Sequence, residues 1–196
     1  MSVKKILIAP HPKLRQTAEP IVDLNPQTIA YIRSLADTIT AQKDPAAAGL
    51  ALPQIDALYR AFATNLETRH SDEFQVRVFV NPILIDRSDN LSIGPDRRRP
   101  DLEGCLSIPY LYGPILRPEW VTFEFQELIG DQLSDPKRET FYDFPGRVMQ
   151  HENDHLEGIL FTDYTLQQGQ PLFRSEKHEL IPVDPIIAQA FRAPQA

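Results

Sequence analysis

Apolar side chains near the start of the chain recur at the spacing of one helical face. They are Ile29, Ile32, Ala36 and Ile39. Asn25 is a typical N-cap residue, and Pro26 suits the first turn of a helix because it needs no hydrogen-bond partner for its nitrogen. The spacing therefore predicts a helix from about Pro26 to about Gln42, which Asp44-Pro45 ends.

Segments rich in β-branched and aromatic residues fill the middle of the chain and predict strands. These segments are Leu58 to Thr64, Gln75 to Val80, Ile83 to Ile85 and Val121 to Gln126. The dipeptide Asn81-Pro82 predicts a turn between two of them. An earlier strand is predicted at the apolar run Ile6 to Ala9, and a polar loop is predicted from Ser88 to Leu102.

A second helix is predicted over Val148 to Leu156, with Pro145 in its first turn and Gly158 at its end. Prolines after Asp163 preclude another long helix but leave room for a short one from about Asp184 to Arg192. Strands grouped between a helix at each end are typical of an α+β fold rather than an alternating α/β fold.

Length and charge exclude several classes of protein. The 196 residues suit one domain, and 20 basic against 27 acidic residues give a net charge of −7. The longest basic run is only Arg97-Arg98-Arg99, so we expect no direct nucleic-acid binding. No apolar stretch approaches the length of a membrane span, and the N-terminus lacks the apolar core of a signal peptide. The lone Cys105 excludes an internal disulfide and favours a reducing, cytoplasmic location.

The string His151-Glu152-Asn153-Asp154-His155 lies inside the second predicted helix. Residues four apart share one face of a helix, so His151 and His155 are placed to bind one metal ion. Glu152 adjoins the first of them and is placed to act as a general base on a water. The string alone is nearly as compatible with a polar surface turn, but its apolar neighbours indicate half-buried histidines, which favours a metal.

A catalytic site of the zinc type needs three protein ligands, so a third must come from elsewhere. One metalloprotease pattern would place a histidine where Phe161 stands, so that pattern fails. Another would place a glutamate near Glu176, which lies in a polar segment with no helical pattern to orient it. Cys105 is the remaining candidate because its thiolate is a strong ligand. Its alternative role is that of a small buried apolar residue.

Three segments, in this order, resemble the sequence motifs of the peptide deformylases. The second, Glu103-Gly104-Cys105-Leu106-Ser107, and the third, Gln150 to His155, match the family pattern in full. The first, Ala47 to Gln54, departs from it at Ala47, where the family has glycine, and at Leu52, where it has alanine.

The resemblance extends from about Ile6 to Tyr164 and implies the domain organisation. We expect a deformylase-like catalytic domain at residues 1–164 and a proline-containing C-terminal tail at residues 165–196 that forms no separate domain. The implied fold is α+β, with mostly antiparallel sheets around a central metal-binding helix and an N-terminal helix.

The resemblance also implies an activity: metal-dependent removal of the N-formyl group from the initiating methionine of nascent polypeptides. The implied metal ligands are Cys105, His151 and His155. The implied metal is one divalent ion, ferrous iron natively, with zinc or nickel as substitutes. Glu152 would move the protons of the reaction, while the Gln54 side-chain amide and the Leu106 backbone N–H would stabilise the oxyanion.

By the same resemblance, the substrate peptide lies as an added strand beside the backbone of Ala48 and Gly49. Phe144 and Val148 are candidates for an apolar slot that takes the methionine side chain, although core packing would also explain them. The implied partners are N-formyl-methionyl nascent peptides, met at the ribosome in a bacterial-type cytoplasm. Glu103 and Arg117 form either a supporting ion pair behind Cys105 or a surface pair without consequence.

Two rival functions remain. A metallopeptidase that cleaves ordinary peptide bonds would share the helical string but use another third ligand. A deformylase-like binding protein without turnover is supported only by Ala47 and Leu52. If the first motif is extended throughout, Leu52 shares a face with Gln54 and narrows the approach to its amide. We expect both departures to be tolerated packing changes, because Gln54, Gly49 and the candidate ligands are all present.

Overall fold

The structure is a computed structural model that describes residues 2–44, 46–68, 71–94, 101–177 and 179–192. The arginine run Arg97–Arg99 and part of the predicted polar loop lie outside the described residues. The helices are α1 (Pro26–Ala41), α2 (Asp143–Leu156), α3 (Phe161–Gln167) and α4 (Pro185–Ala188). None of the helices in these ranges is long and apolar enough to cross a membrane.

The strands fall into two principal sheets and two short two-stranded pairs. In chain order they are β1 (Gly49–Ala51), β2 (Ala61–Thr68), β3 (Ser71–Arg87), β4 (Leu91–Ser92), β5 (Leu102–Cys105), β6 (Ile108–Pro114), β7 (Arg117–Pro118), β8 (Trp120–Gln126), β9 (Leu128–Ile129), β10 (Gln132–Leu133), β11 (Lys137–Tyr142), β12 (Phe173–Glu176) and β13 (Glu179–Pro182). All pairings between these strands are antiparallel. The α+β prediction with mostly antiparallel sheets is therefore confirmed.

Helix α1 begins where its capping residues predict. The Asn25 side chain accepts hydrogen bonds from the backbone N–H groups of Gln27 and Thr28, both at 3.0 Å. The Thr28 hydroxyl in turn accepts the N–H of Asn25 at 2.9 Å, which completes a capping box. The helix ends at Ala41 and buries Ile32 and its apolar neighbours, so the predicted helix is confirmed to within a residue.

The larger sheet has the order β1-β2-β3-β8-β11, which makes β1 an edge strand. The predicted turn at Asn81-Pro82 is wrong, because β3 continues through both residues as one strand. Asn81 has a positive φ of 50°, and the pairing with β8 shifts register between Val80 and Ile83. A bulge, not a reversal, thus accommodates the proline. The Asn81 side chain also binds both backbone groups of Ile21, at 2.8 and 2.9 Å.

The smaller sheet has the order β13-β12-β6-β5 and ends with the strand that carries Cys105. Its β12–β13 hairpin lies in the predicted tail and was not expected from the prolines there. The predicted strand at Ile6–Ala9 is wrong, because this segment does not pair with a described strand. The N–H groups of Leu7 and Ala9 donate instead to the carbonyls of Gln54 and Ser107, both at 2.8 Å. The predicted loop after Ser88 contains the short strand β4, which pairs with β7.

Helix α2 packs against the larger sheet over strands β1, β2, β8 and β11. Between them lies an aromatic cluster in which Phe62, Phe79 and Phe123 pack with Met149 of α2. A second cluster joins α1 to the first motif, and a third joins β6 to α3 and the tail. The burial of α2 on several sides holds its polar face in a fixed position relative to β1 and β5.

Candidate active site

Helix α2 carries both histidines of the string on one face, as their spacing predicts. Their ring centroids lie 5.0 Å apart. The helix begins at Asp143, earlier than predicted, and Gly146 allows its first turn to approach the preceding strand. A Cβ on Gly146 would lie 2.8 Å from the carbonyl oxygen of Phe141. Gly158 follows the helix end with a φ of 69°, a conformation that glycine adopts readily.

Cys105 joins the two histidines across the fold. It lies at the end of β5, and its Sγ is 3.2 Å from Nε2 of His155. One ligand atom from each of Cys105, His151 and His155 lies within 4.8 Å of the others. This is the only such group of histidine, cysteine or acidic side chains in the described ranges. Phe161 is buried and apolar, and Glu176 is an exposed strand residue beside Arg174, so neither joins them.

The residues present fit a divalent metal ion. One thiolate and two imidazoles form a donor set that suits a tetrahedral site with one open position. Oε2 of Glu152 and Nδ1 of His155 are buried without a hydrogen-bond partner in the described part of the chain. Buried polar atoms are nearly always paired, so the unpaired Glu152 oxygen beside such a donor set indicates a site built for an additional bound group. The unpaired Nδ1 of His155 is not the ring atom that faces Cys105.

Glu103 orients one of the histidines and is itself held by two arginines. Its Oε2 lies 3.1 Å from Nδ1 of His151, which leaves the Nε2 of that ring for a metal. Arg117 donates to both carboxylate oxygens, at 2.6 and 2.8 Å, and Arg147 donates to Oε1 at 3.0 Å. Arg117 also binds Asp154 at 2.8 Å. We call Glu103, Arg117, Arg147 and Asp154 the buried ion cluster.

Of the two predicted roles for Glu103 and Arg117, a supporting ion pair or a surface pair, the structure shows the supporting ion pair. Only 4% of Arg117 is exposed, so the pair is not on the surface. Burial alone would raise the pKa of Glu103, but the charge and hydrogen bonds of Arg117 outweigh it and hold that pKa well below its usual range. Arg147 was not predicted from the sequence, and no role was predicted for Asp154. The position of Arg147, four residues before His151, was the available signal.

Glu152 has the opposite environment. Burial is the largest influence on this carboxyl, and it raises its pKa from 4.5 to about 7. The side chain lies directly against β1, where a Cβ on Gly49 would be only 2.2 Å from Oε1 of Glu152. Gly49 is thus required for space rather than for backbone conformation. This contact between the first motif and the helix was not anticipated from the sequence.

The carboxamide of Gln54 lies beside Cys105 with its orientation fixed at both ends. Its Oε1 accepts the N–H of Ala51 at 2.8 Å, and its Nε2 donates to the hydroxyl of Ser107 at 3.1 Å. The same Nε2 lies 3.5 Å from Sγ of Cys105. Leu106 follows Cys105 in the tight turn between β5 and β6. The Nε2 of the amide therefore donates to Ser107, which orients it, and lies close to the thiol.

Comparison with known proteins agrees with this geometry. The sequence profile of the polypeptide deformylases matches residues 3–170. A peptide deformylase of Phenylobacterium zucineum is 32% identical over 180 residues, which cover 91% of this chain and 98% of that one. The chain belongs to the peptide deformylase family.

Solved structures of deformylases share the fold. A probable peptide deformylase from Synechococcus phage S-SSM7 superposes with a TM-score of 0.67 at 31% identity, covering 82% of this chain and 99% of that one. The peptide deformylase of Synechococcus elongatus, solved in complex with actinonin, gives a TM-score of 0.68 at 27% identity, covering 83% and 78%. Deformylases remove the N-formyl group from nascent peptides and are metal-dependent hydrolases, and this chain is an enzyme of that type.

The two departures from the deformylase pattern lie in the core and not at the site. Strand β1 ends at Ala51, and residues Leu52–Ile55 form a short 3-10 turn, so strand alternation does not apply. The prediction that Leu52 shares a face with Gln54 is therefore wrong. Leu52 is fully buried with Leu35 and Ile39 of α1, and Ala47 belongs to the same cluster.

Proposed function

We propose that this chain deformylates the initiating methionine of nascent peptides, with Cys105, His151 and His155 as the metal ligands. The observation that carries the proposal is that the three donor atoms lie within 4.8 Å of one another. The buried Glu152 lies on α2, the helix that carries both histidines. We also propose that it acts in a bacterial-type cytoplasm, on chains that emerge from the ribosome.

The proposed cofactor is ferrous iron, with zinc or nickel as substitutes. A mixed thiolate and imidazole donor set accepts all three ions. When bound, such an ion supplies Lewis acidity, which makes a water nucleophilic near neutral pH and polarises a carbonyl. Glu103 supports this role for His151, because a carboxylate on the second ring nitrogen sets the tautomer and the ring orientation of a metal-binding histidine.

Glu152 is the proposed proton carrier. It takes a proton from the water that attacks the formyl carbon and returns it to the nitrogen of the leaving amine. A general acid–base group works best with a pKa near the working pH. Burial raises the pKa of Glu152 to about 7 in the metal-free protein, and its unpaired Oε2 is available to a reacting group.

Gln54 and Leu106 are the proposed oxyanion donors. Donors that are fixed before the reaction stabilise developing charge without reorganising. The hydrogen bonds from Ala51 and to Ser107 orient the Gln54 carboxamide in advance. The backbone N–H of Leu106 comes from the turn next to Cys105, so both donors lie beside the proposed metal ligand.

The proposed peptide site is the edge of β1 that no other described strand pairs with; of Ala48 and Gly49, it is Gly49 whose backbone groups face this edge. The carbonyl of Ala48 already accepts the N–H of Asn65 at 2.8 Å. Because backbone groups alternate sides along a strand, those of Gly49 point away from β2, toward an incoming strand. For the methionine side chain, Val148 is buried whereas Phe144 is 56% exposed, so Phe144 is the candidate free to contact a substrate.

The decisive experiment is formate release from formyl-Met-Ala-Ser by the iron-loaded and zinc-loaded protein. We expect turnover with the formyl peptide and little with acetyl-Met-Ala-Ser, because an acetyl methyl does not fit between the metal, Gln54 and the Leu106 N–H. Absence of formate release with stoichiometric metal would favour the binding protein without turnover. Actinonin, the compound bound in the S. elongatus structure, is expected to inhibit the release.

Metal analysis of Cys105→Ala separates the deformylase from the metallopeptidase. We expect this variant to lose stoichiometric metal, because it removes one of three ligands. Retention of one metal ion per chain would mean that another residue is the third ligand, as the metallopeptidase requires. Phe161→Leu is a matched control, since it alters a buried neighbour of His151 without removing a donor atom.

A further inference from the structure

Arg147 is a buried cation whose burial is not explained by its ion pair with Glu103. It lies on α2 one turn before His151, and only 7% of its surface is exposed. Glu103 already has a two-pronged partner in Arg117, so a second guanidinium is not needed to pair that carboxylate. Burying a further charge is costly unless it is fully hydrogen-bonded.

The hydrogen bonds of Arg147 join three segments around the proposed metal site. Nη2 donates to Oε1 of Glu103 at 3.0 Å and to the carbonyl of Ile115 at 2.7 Å. Nη1 donates to the carbonyl of Ser92 at 3.1 Å. A planar guanidinium fixes such a set of acceptors in one geometry, which the single ammonium of a lysine cannot do.

The charges of the buried ion cluster depend on Arg147 as well. Arg117 contacts two carboxylates, those of Glu103 and Asp154, and so cannot balance both. Arg147 supplies the second positive charge, which makes two carboxylates and two guanidiniums. Glu103 is thereby held between donors on one side and Nδ1 of His151 on the other.

We propose that Arg147 is a positioning residue for the metal site, which fixes Glu103 so that His151 presents its free ring nitrogen in the ligand geometry. The inference rests on the proposed function, because it takes His151 as a ligand. Arg147 touches neither a metal ligand nor a reacting atom in the described contacts, and acts through Glu103.

The test is the rate at which the zinc-loaded enzyme releases zinc to an excess of chelator. Residues that orient a metal ligand typically contribute about 10–100-fold to metal retention. We expect release from Arg147→Met to be faster than from the parent by about that factor. Loss of a nearby positive charge alone would slow release, since a divalent cation is repelled less, so faster release reports geometry and not charge.

A second readout is the Nδ1–H proton resonance of His151 in the zinc-loaded protein. We expect it to be protected from exchange in the parent, because Glu103 accepts this hydrogen, and to exchange faster in Arg147→Met. Arg60→Met is the matched control: Arg60 joins the C-terminal end of α2, through Asn153 and Glu157, to the backbone carbonyl of Pro82, but does not touch Glu103. We expect the control to match the parent in both readouts.

The milder variant Arg147→Lys covers the case in which Arg147→Met fails to fold. It keeps the charge and one hydrogen bond, and we expect zinc release between those of the parent and Arg147→Met. Release from a folded variant that equals or is slower than the parent rate, with an unchanged His151 resonance, would overturn the inference. If the parent itself binds no zinc tightly, the proposed function fails instead, so the two failures are distinguishable.

Discussion

Two carboxylates with little exposed surface adjoin His151, and their surroundings differ in almost every respect. Glu103 accepts four hydrogen bonds, two from Arg117 and one each from Arg147 and His151. Glu152 has an oxygen with no partner among the described residues and rests against the bare backbone of Gly49. The pKa of Glu103 is well below its usual range, whereas burial raises that of Glu152 to about 7.

This contrast separates a supporting carboxylate from a reacting one. A carboxylate enclosed by guanidinium groups stays ionised and fixed, so it can orient a histidine but cannot carry a proton. A carboxyl that is buried without a guanidinium partner gains and loses its proton near neutral pH in the metal-free protein. Two groups of the same chemistry thus acquire different roles from their neighbours alone.

The largest expected effect is on turnover by Glu152→Ala. If Glu152 moves the protons, its loss should lower the rate of formate release by about 10²–10⁴-fold, while the metal content stays that of the parent. The comparison variant is Glu103→Ala, which should lose metal instead. A Glu152→Ala enzyme within a few-fold of the parent would show that another group carries the proton.

Arg117→Met should be the most destabilising change in the buried ion cluster. It leaves Glu103 and Asp154 with only one guanidinium between them, and breaking a buried ion pair costs about 3–5 kcal/mol of unfolding free energy. Urea unfolding measures this cost. Arg138→Met is the control, because its pair with Glu124 is exposed and is worth about 0–1 kcal/mol. Equal losses of unfolding free energy in the two variants would mean that the ion pairs of Arg117 stabilise the fold no more than the exposed pair of Arg138 with Glu124.

The two carboxyls should give stability opposite dependences on pH in the metal-free protein. The folded chain raises the pKa of Glu152 from 4.5 to about 7, so its contribution to stability is present below pH 4.5 and is lost as the pH rises toward 7. The unfolding free energy of Glu152→Gln should therefore rise relative to that of the parent as the pH goes from 4.5 to 7, by about 3 kcal/mol at pH 7.

Glu103→Gln should show the reverse dependence, with its unfolding free energy falling relative to that of the parent as the pH rises. Its folded pKa is lowered, so its contribution is present above 4.5 and is lost as the pH falls below that value. Urea unfolding in the presence of a chelator, repeated across the acidic and neutral range, measures both slopes. Slopes of the same sign would contradict the contrast between the two groups.

The smallest expected effect is that of Gly49→Ala. The added methyl group would lie within 2.2 Å of the Glu152 carboxylate, and overpacking of this kind typically costs about 1–3 kcal/mol. In the Glu152→Ala background the same substitution should cost almost nothing, because the clashing atoms are gone. A double-mutant cycle on the unfolding free energy measures the difference. Equal costs in both backgrounds would mean that the clash is not with Glu152.

Local patterns predicted much of this protein because local physics determines them. Helix α1 follows from an apolar spacing and from the capping chemistry of Asn25 and Thr28, which neighbouring residues supply. The pairing of His151 with His155 follows from helical geometry in the same way. Motif resemblance extended this to Cys105 and Gln54, which no local pattern connects to the helix.

Where a distant part of the chain decided the outcome, the local predictions were wrong. Asn81-Pro82 predicted a turn, but β8 and Ile21 provide partners that let β3 continue through a bulge. Ile6 to Ala9 predicted a strand, but none of the strands that the structure describes pairs with it. Leu52 was placed beside Gln54 by strand alternation, but the chain turns after Ala51 and the apolar face of α1 buries it.

The sequence by itself determined helix α1, the helix that carries His151 and His155, and the α+β class, because these depend on spacing and residue chemistry. Cys105 was added to the candidate ligands by the motif resemblance. Only the tertiary structure decided which charges meet. It brought Arg147 and Arg117 to Glu103 and gave Oε2 of Glu152 no hydrogen-bond partner among the described residues, since both outcomes depend on contacts between segments far apart in the chain. The electrostatic environment of a side chain is a property of the packed molecule, and so is the difference in pKa between the two carboxyls.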